Sequence, residues 1–126
     1  MKKRILLVDD DLMARGFFRT LLVSAGYDVV EAGDGAAAVR LFRQGGIDLI
    51  ATDIYMPKMN GLDAILEMDP KAQGIPVIAL SGGGHDGSGS DPLDLAASLG
   101  VARTFHKPFD YQQFLAAVKE LLAARP

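Results

Sequence analysis

The stretch from Ile47 to Gly61, IDLIATDIYMPKMNG, constrains the fold of this chain more than any other. Ile47, Leu49, Ile50 and Ala51 make an almost unbroken apolar run. That pattern suits a strand buried on both faces of a parallel sheet, because a strand with one wet face would alternate. The run ends in a carboxylate, Asp53, where such a strand would emerge at its carboxyl end. Pro57 then fixes φ, and the Asn60-Gly61 pair makes φ > 0 available, so a turn is expected next. Ligands of open α/β sheets sit outside the carboxyl ends of the strands, which makes Asp53 a candidate for chemistry. Taken alone, a helix-capping or turn aspartate accounts for it equally well.

The rest of the chain repeats the design. Ile5 to Val8 is a short β-type run that stops at Asp9-Asp10-Asp11. From Leu12 to Ala25, Phe17, Phe18, Leu21, Leu22 and Ala25 recur at helical spacing, and Gly26 stands where a helix would stop. Tyr27 to Ala32 holds a second strand, and Asp34-Gly35 turns the chain into a helix over Ala36 to Gln44. Beyond the central strand, Leu62 to Met68 predicts a short helix that ends at Asp69-Pro70. Ile75 to Leu80 is a fourth buried strand, ending at Ser81. The segment Gly82 to Ser90, with five glycines in nine residues, is a poor helix and a poor strand and reads as a mobile loop. Asp91-Pro92 then starts a helix over Leu93 to Leu99, with an N-cap followed by Pro at N1. Val101 to His106 is a fifth strand running into Lys107-Pro108. Asp110 and Gln113 form a capping-box signature before an apolar stripe of Phe114, Leu115, Val118, Leu121 and Leu122.

Five strands alternating with five helices predict an α/β fold with a doubly wound parallel sheet. At 126 residues there is room for one domain, and with no linker or repeat visible the expectation is a single domain over 1–126 with no effector domain. A net charge of -3 leaves no basic footprint for nucleic acid. The absence of cysteine removes disulfides and thiolate metal sites. Met1-Lys-Lys-Arg4 resembles the start of a signal peptide, but the apolar run behind it is too short, and no stretch approaches a membrane span. A cytoplasmic chain without membrane insertion is expected.

The strand ends carry the functional argument. Asp9-Asp10-Asp11 follows the first strand, Asp53 ends the third, Ser81 the fourth, and Lys107 follows the fifth. Carboxylates gathered around one point repel one another unless a cation relieves them. Oxygen donors without His or Cys favour Mg²⁺, which keeps some waters and takes one or two protein carboxylates. A lysine and a hydroxyl beside a metal-bound carboxylate suit attack on a phosphoryl donor, with the charges neutralising the phosphoryl oxygens. Each residue singly has a plain alternative: a solvated helix N-terminus, a turn serine, a surface lysine. The four together at strand ends are much harder to explain that way.

The runs LLVDDD, TDIYMPKMNG, IALSG and FHKPF, in that order from Arg4 to about Leu122, resemble the receiver domain of two-component response regulators. The resemblance implies a flavodoxin-like five-stranded parallel sheet of order 2-1-3-4-5 flanked by five helices. It implies Asp53 as phosphoacceptor, with Mg²⁺ held directly by Asp10 and Asp53, by the backbone carbonyl of Tyr55, and by Asp9 through water. Ser81 would be the switch hydroxyl, and Lys107 would contact the phosphoryl group, with Lys107-Pro108 a cis peptide. Asp11 would open the first helix rather than bind metal. The implied partners are a sensor histidine kinase or histidine phosphotransfer protein and a downstream protein, with Met13, Phe17 and Phe18 among candidates for a docking face.

Three features depart from the family pattern. The aromatic residue expected three positions before the lysine is Thr104 here, and Phe105 falls on the opposite face by strand alternation. The glycine-rich Gly82 to Ser90 segment lengthens the connection before Lys107, and is expected to order on activation. Tyr55 borders the route of an attacking water and is expected to slow loss of the phosphoryl group. Two rival readings stand beside the phosphoacceptor. One is a degenerate receiver acting as a phosphorylation-independent adaptor, which the intact acidic set argues against and Thr104 keeps open. The other is a haloacid dehalogenase-type hydrolase, which Asp9-x-Asp11 mimics but which leaves Asp53 unexplained.

Overall fold

Five short apolar runs become five parallel strands. They are β1 (Arg4–Val8), β2 (Asp28–Ala32), β3 (Leu49–Asp53), β4 (Val77–Ser81) and β5 (Arg103–His106), joined in the order β2-β1-β3-β4-β5. The structure is a computed structural model that describes residues 2–54, 61–81, 99–106 and 109–124. Among these residues the α-helices are α1 (Leu12–Ser24), α2 (Gly35–Arg43), α3 (Gly61–Met68) and α4 (Tyr111–Ala123), with a 3-10 turn at Pro70–Gln73. This is the flavodoxin-like, doubly wound sheet expected from the sequence. Four helices are described rather than five. The helix expected from Leu93 falls, apart from Leu99, outside the described residues, as do Gly82 to Ser90 and the Asp91-Pro92 helix start.

Alternation along the strands sorts side chains to two faces. Leu6, Val8 and Ile50 pack with Ala38, Val39 and Phe42 of α2 and with Ala64, Ile65 and Met68 of α3. Ile5, Leu7, Leu49, Ala51, Ile78 and Leu80 pack on the other face with Phe18 and Leu22 of α1 and Phe114, Val118 and Leu122 of α4. The central strands β3 and β4 are buried at every position, which is why their sequences read as continuous apolar runs. The edge strand β2 is buried only at Ala32, and no residue of β5 is fully buried, so their patterns are mixed.

Aspartates start the helices. Asp11, Asp34 and Asp110 each accept a backbone N–H within the first turn, from Met13, Ala37 and Gln112. Such caps satisfy donors that a helix start would otherwise leave unpaired. At Asp110 the bond goes to the second helical residue, Gln112, so the cap is present without the expected capping-box geometry. Helix α1 stops as the sequence predicts. Gly26 takes φ +100°, its N–H donates to Val23 O at 3.0 Å, and Tyr27 N–H reaches Leu22 O at 3.1 Å. These paired bonds are a Schellman closure. They turn the chain directly into β2.

Candidate functional site

Because all five strands run the same way, their carboxyl ends share one edge of the sheet. The register pairs Val8 of β1 with Thr52 of β3, and Asp53 with Leu80 of β4. Asp9, one residue past Val8, therefore lies beside Asp53, and Ser81 lies one residue past Asp53's partner. Carboxylate oxygens of Asp9, Asp10 and Asp53 come within 4.8 Å of one another. Asp9 and Asp53 are 1% and 7% exposed, whereas Asp10 is open to solvent. The cluster thus has a buried floor and an accessible mouth. Ser81, at the end of the neighbouring strand, is 1% exposed.

The cluster is held from below and from one side. Asp9 N–H donates to Ala32 O at 3.1 Å, and its Oδ1 accepts from Asp11 N–H at 3.0 Å. Asp11 spends its own Oδ1 on Met13 N–H at 3.0 Å, so it caps α1 and stands outside the acidic group, as the resemblance implied. The sequence reading missed Arg15. Its Nη1 donates to the backbone carbonyl of Asp9 at 2.9 Å, and its Nε pairs with Glu31 of β2 at 3.2 Å. Arg19 joins the same glutamate at 3.3 Å. Arg15 sits one turn into α1, directly above Asp11, and that spacing was the available signal.

On the other side of the site, Gly61 corrects an expectation. The Asn60-Gly61 pair suggested φ > 0, but Gly61 is not among the positive-φ glycines and instead opens α3. It is glycine because the backbones meet: an added Cβ would lie 2.2 Å from Asp53 O and 3.0 Å from Ile54 Cα. Asn60, Pro57, Tyr55, Lys107 and Pro108 lie outside the described residues. Among the described residues, the expected set brought together is Asp9, Asp10, Asp53 and Ser81.

The Thr104 departure has a structural counterpart. Thr104 pairs with Ala79 and is exposed, while Phe105 pairs with Leu80 and packs on the α1–α4 side. Its ring centroid lies 5.1 Å from Phe109 and 6.1 Å from Phe114. Phe105, half-buried, therefore packs against the core on the face opposite Thr104. Of the three docking candidates, Met13 is 86% and Phe17 46% exposed, whereas Phe18 is 4% exposed and belongs to the core. Leu12 and Tyr111 extend the exposed pair, with the Phe17 and Tyr111 rings 4.7 Å apart.

Chemically, three clustered carboxylates repel unless a cation joins them, and an all-oxygen donor set suits a hard divalent ion. The chain has relatives in sequence and in structure. The model of the response regulator receiver domain family matches residues 5–119. The probable transcriptional regulator ycf27 of Cyanophora paradoxa is 35% identical over 121 residues, covering 96% of this chain and 48% of that protein. A response regulator receiver domain protein from Clostridium thermocellum superposes with a TM-score of 0.83 at 28% identity, covering 96% of this chain and 94% of its own. The response regulator TrrA of Thermotoga maritima, solved in complex with Mg²⁺ and BeF, gives 0.80 at 31% identity over 94% of this chain and 98% of its own. This chain belongs to the receiver domain family of two-component response regulators. It spans about half the length of the curated relatives it matches.

Proposed function

We propose that this receiver accepts a phosphoryl group on Asp53, in a Mg²⁺-dependent reaction, from a sensor histidine kinase or a histidine phosphotransfer protein. The observation that carries this reading is the meeting of Asp9, Asp10 and Asp53 within 4.8 Å at the carboxyl edge of the sheet. Asp53 ends the central strand with its side chain nearly buried, so a reacting oxygen would be held rather than free to wander.

The acidic donor set fits Mg²⁺: Asp10, Asp53 and the Tyr55 carbonyl would hold the ion, and Asp9 would reach it through water. When bound, the ion supplies charge neutralisation for the phosphoryl oxygens. An Asp53 carboxylate oxygen attacks phosphorus in line. The bond from phosphorus to the donor nitrogen breaks, and the leaving imidazole keeps the electron pair and takes up a proton. Lys107 pairs with the transferred group and Ser81 donates a hydrogen bond to one of its oxygens. Turnover is confined to the protein's own aspartyl phosphate, so the domain acts as a phosphoacceptor and not as a general phosphatase. Tyr55 is assigned a shielding role against the water that would end the signal.

The exposed apolar group of Leu12, Met13, Phe17 and Tyr111 lies on the elements that follow the acidic edge, and it is assigned to docking of the phosphodonor protein. Output is proposed to pass through altered protein contact or onward phosphotransfer, in the cytoplasm; the acidic net charge of -3 argues against direct binding of this domain to nucleic acid. No helix among the described residues is long and apolar enough to cross a membrane. With Thr104 exposed and Phe105 packed half-buried on the opposite face, the proposed switch runs through Ser81 without an inward-swinging aromatic residue from β5. Peptide mapping after treatment with acetyl phosphate and Mg²⁺ tests the assignment. The phosphoryl group should map to Asp53, and a group on any other residue would contradict it.

A further inference from the structure

We infer that Thr52 and Gly61 are positioning residues that lock the backbone of the acceptor, an inference that rests on Asp53 being the phosphoacceptor. The backbone just after Asp53 is held at three polar atoms. Thr52 Oγ1 donates to Asp53 O at 2.9 Å. Ile54 N–H donates to Leu80 O of β4 at 2.9 Å, and Gly61 N–H donates to Ile54 O at 2.9 Å. The fourth contact is steric: the Gly61 backbone lies so close that a Cβ there would be 2.2 Å from Asp53 O. Real Cβ atoms do not approach a backbone oxygen so closely, and the obstructing atom is backbone, so it cannot swing aside.

Thr52 is an odd residue for its place. It is 1% exposed in a strand otherwise built of Leu49, Ile50 and Ala51, and it pairs with Val8 on one side and Ala79 on the other. Packing and strand propensity alone would be served by valine. A buried hydroxyl is unfavourable unless it is hydrogen-bonded, and the partner it finds is the carbonyl of the acceptor. The hydroxyl thus ties the last strand residue to the one before it, at the point where regular pairing gives way to the loop. Gly61 bonds the next carbonyl, Ile54 O, and from α3 its backbone crowds Asp53 O. Together they fix where the Asp53 side chain leaves the backbone.

In-line phosphoryl transfer is sensitive to such placement, since a displacement of about 1 Å can cost on the order of a hundredfold in rate. Loosening one of several contacts should cost less. Gly61→Ala endangers the fold itself, because the added methyl collides with main chain. Thr52→Val keeps shape and strand propensity while removing the hydroxyl, and Thr52→Ser restores the hydroxyl without the methyl.

The experiment is the rate of phosphoryl-adduct formation from acetyl phosphate at saturating Mg²⁺, followed by intact mass for wild type, Thr52→Val and Thr52→Ser, each checked for a cooperative melt. Thr52→Val should slow roughly tenfold, and Thr52→Ser should return to within about twofold of wild type although it packs less well. That recovery separates positioning from stability, because a merely structural role would leave the serine variant the more impaired. Equal rates for wild type and Thr52→Val, or a serine variant as slow as the valine one, would overturn the lock alone. Wild type that acquires no adduct on Asp53 from acetyl phosphate or from a phosphorylated histidine protein would overturn the phosphoacceptor reading, and the lock with it.

Discussion

A side chain at position 61 would place its Cβ against the main chain of Asp53 and Ile54. Asn-Gly suggests a turn with φ > 0, yet here the glycine is required by the close approach of α3 to the end of β3. Local turn chemistry is written in neighbouring residues, whereas a collision between residue 61 and the backbone at 53 exists only once the chain has folded. The helix caps are the opposite case. Asp34 precedes an amphipathic segment and accepts Ala37 N–H at 2.8 Å, a bond with the geometry the sequence implied. Asp34→Ala should cost about 1 kcal/mol of folding free energy. Urea denaturation would show this as a lower midpoint with an unchanged slope. Asp9, Asp10, Asp53 and Ser81 were legible because each stands at the end of an apolar run. Arg15 shows only its spacing from Asp11 in the sequence, since its partners, a backbone carbonyl and a glutamate on β2, meet it once the chain has folded.

At the scale of elements, the central strands were readable from their unbroken apolar runs, and the edge strands less so because half of each faces outward. Helix α1 places two adjacent phenylalanines in different environments. Phe18 packs against Phe109 and Phe114, with ring centroids 5.8 and 5.4 Å away. Phe17 turns toward Tyr111 and solvent. Sequence periodicity allows either to be the inner one, and the aromatic residues of the last helix decide it. Two contrasting predictions follow from that division. Phe18→Ala should destabilise the fold by about 3–5 kcal/mol, measurable as a large fall in the denaturation midpoint. Phe17→Asp or Met13→Asp should leave stability and acetyl-phosphate labelling nearly unchanged while slowing phosphotransfer from a histidine protein by roughly fivefold or more. Equal transfer to wild type and to these variants would remove the patch from the docking surface.

For the whole molecule, the parallel topology is what makes distant residues into a site. Residues 9, 53 and 81 share one edge because the strands are parallel and end in register there. The cluster that results is an all-carboxylate donor set, which suits a hard divalent cation. Mg²⁺ should therefore stabilise the folded state, by about 2.7 kcal/mol at a hundredfold excess over its dissociation constant. Thermal melts with and without EDTA would show the shift, and Asp10→Asn should lose most of it. The central claim is tested most directly by the intact mass of wild type and Asp53→Asn after incubation with Mg²⁺ and a small phosphodonor or a phosphorylated histidine protein. A single phosphoryl adduct on wild type, absent from Asp53→Asn and absent when EDTA precedes the donor, is the predicted result. An adduct that persists on Asp53→Asn, or one that forms as well in EDTA, would contradict it.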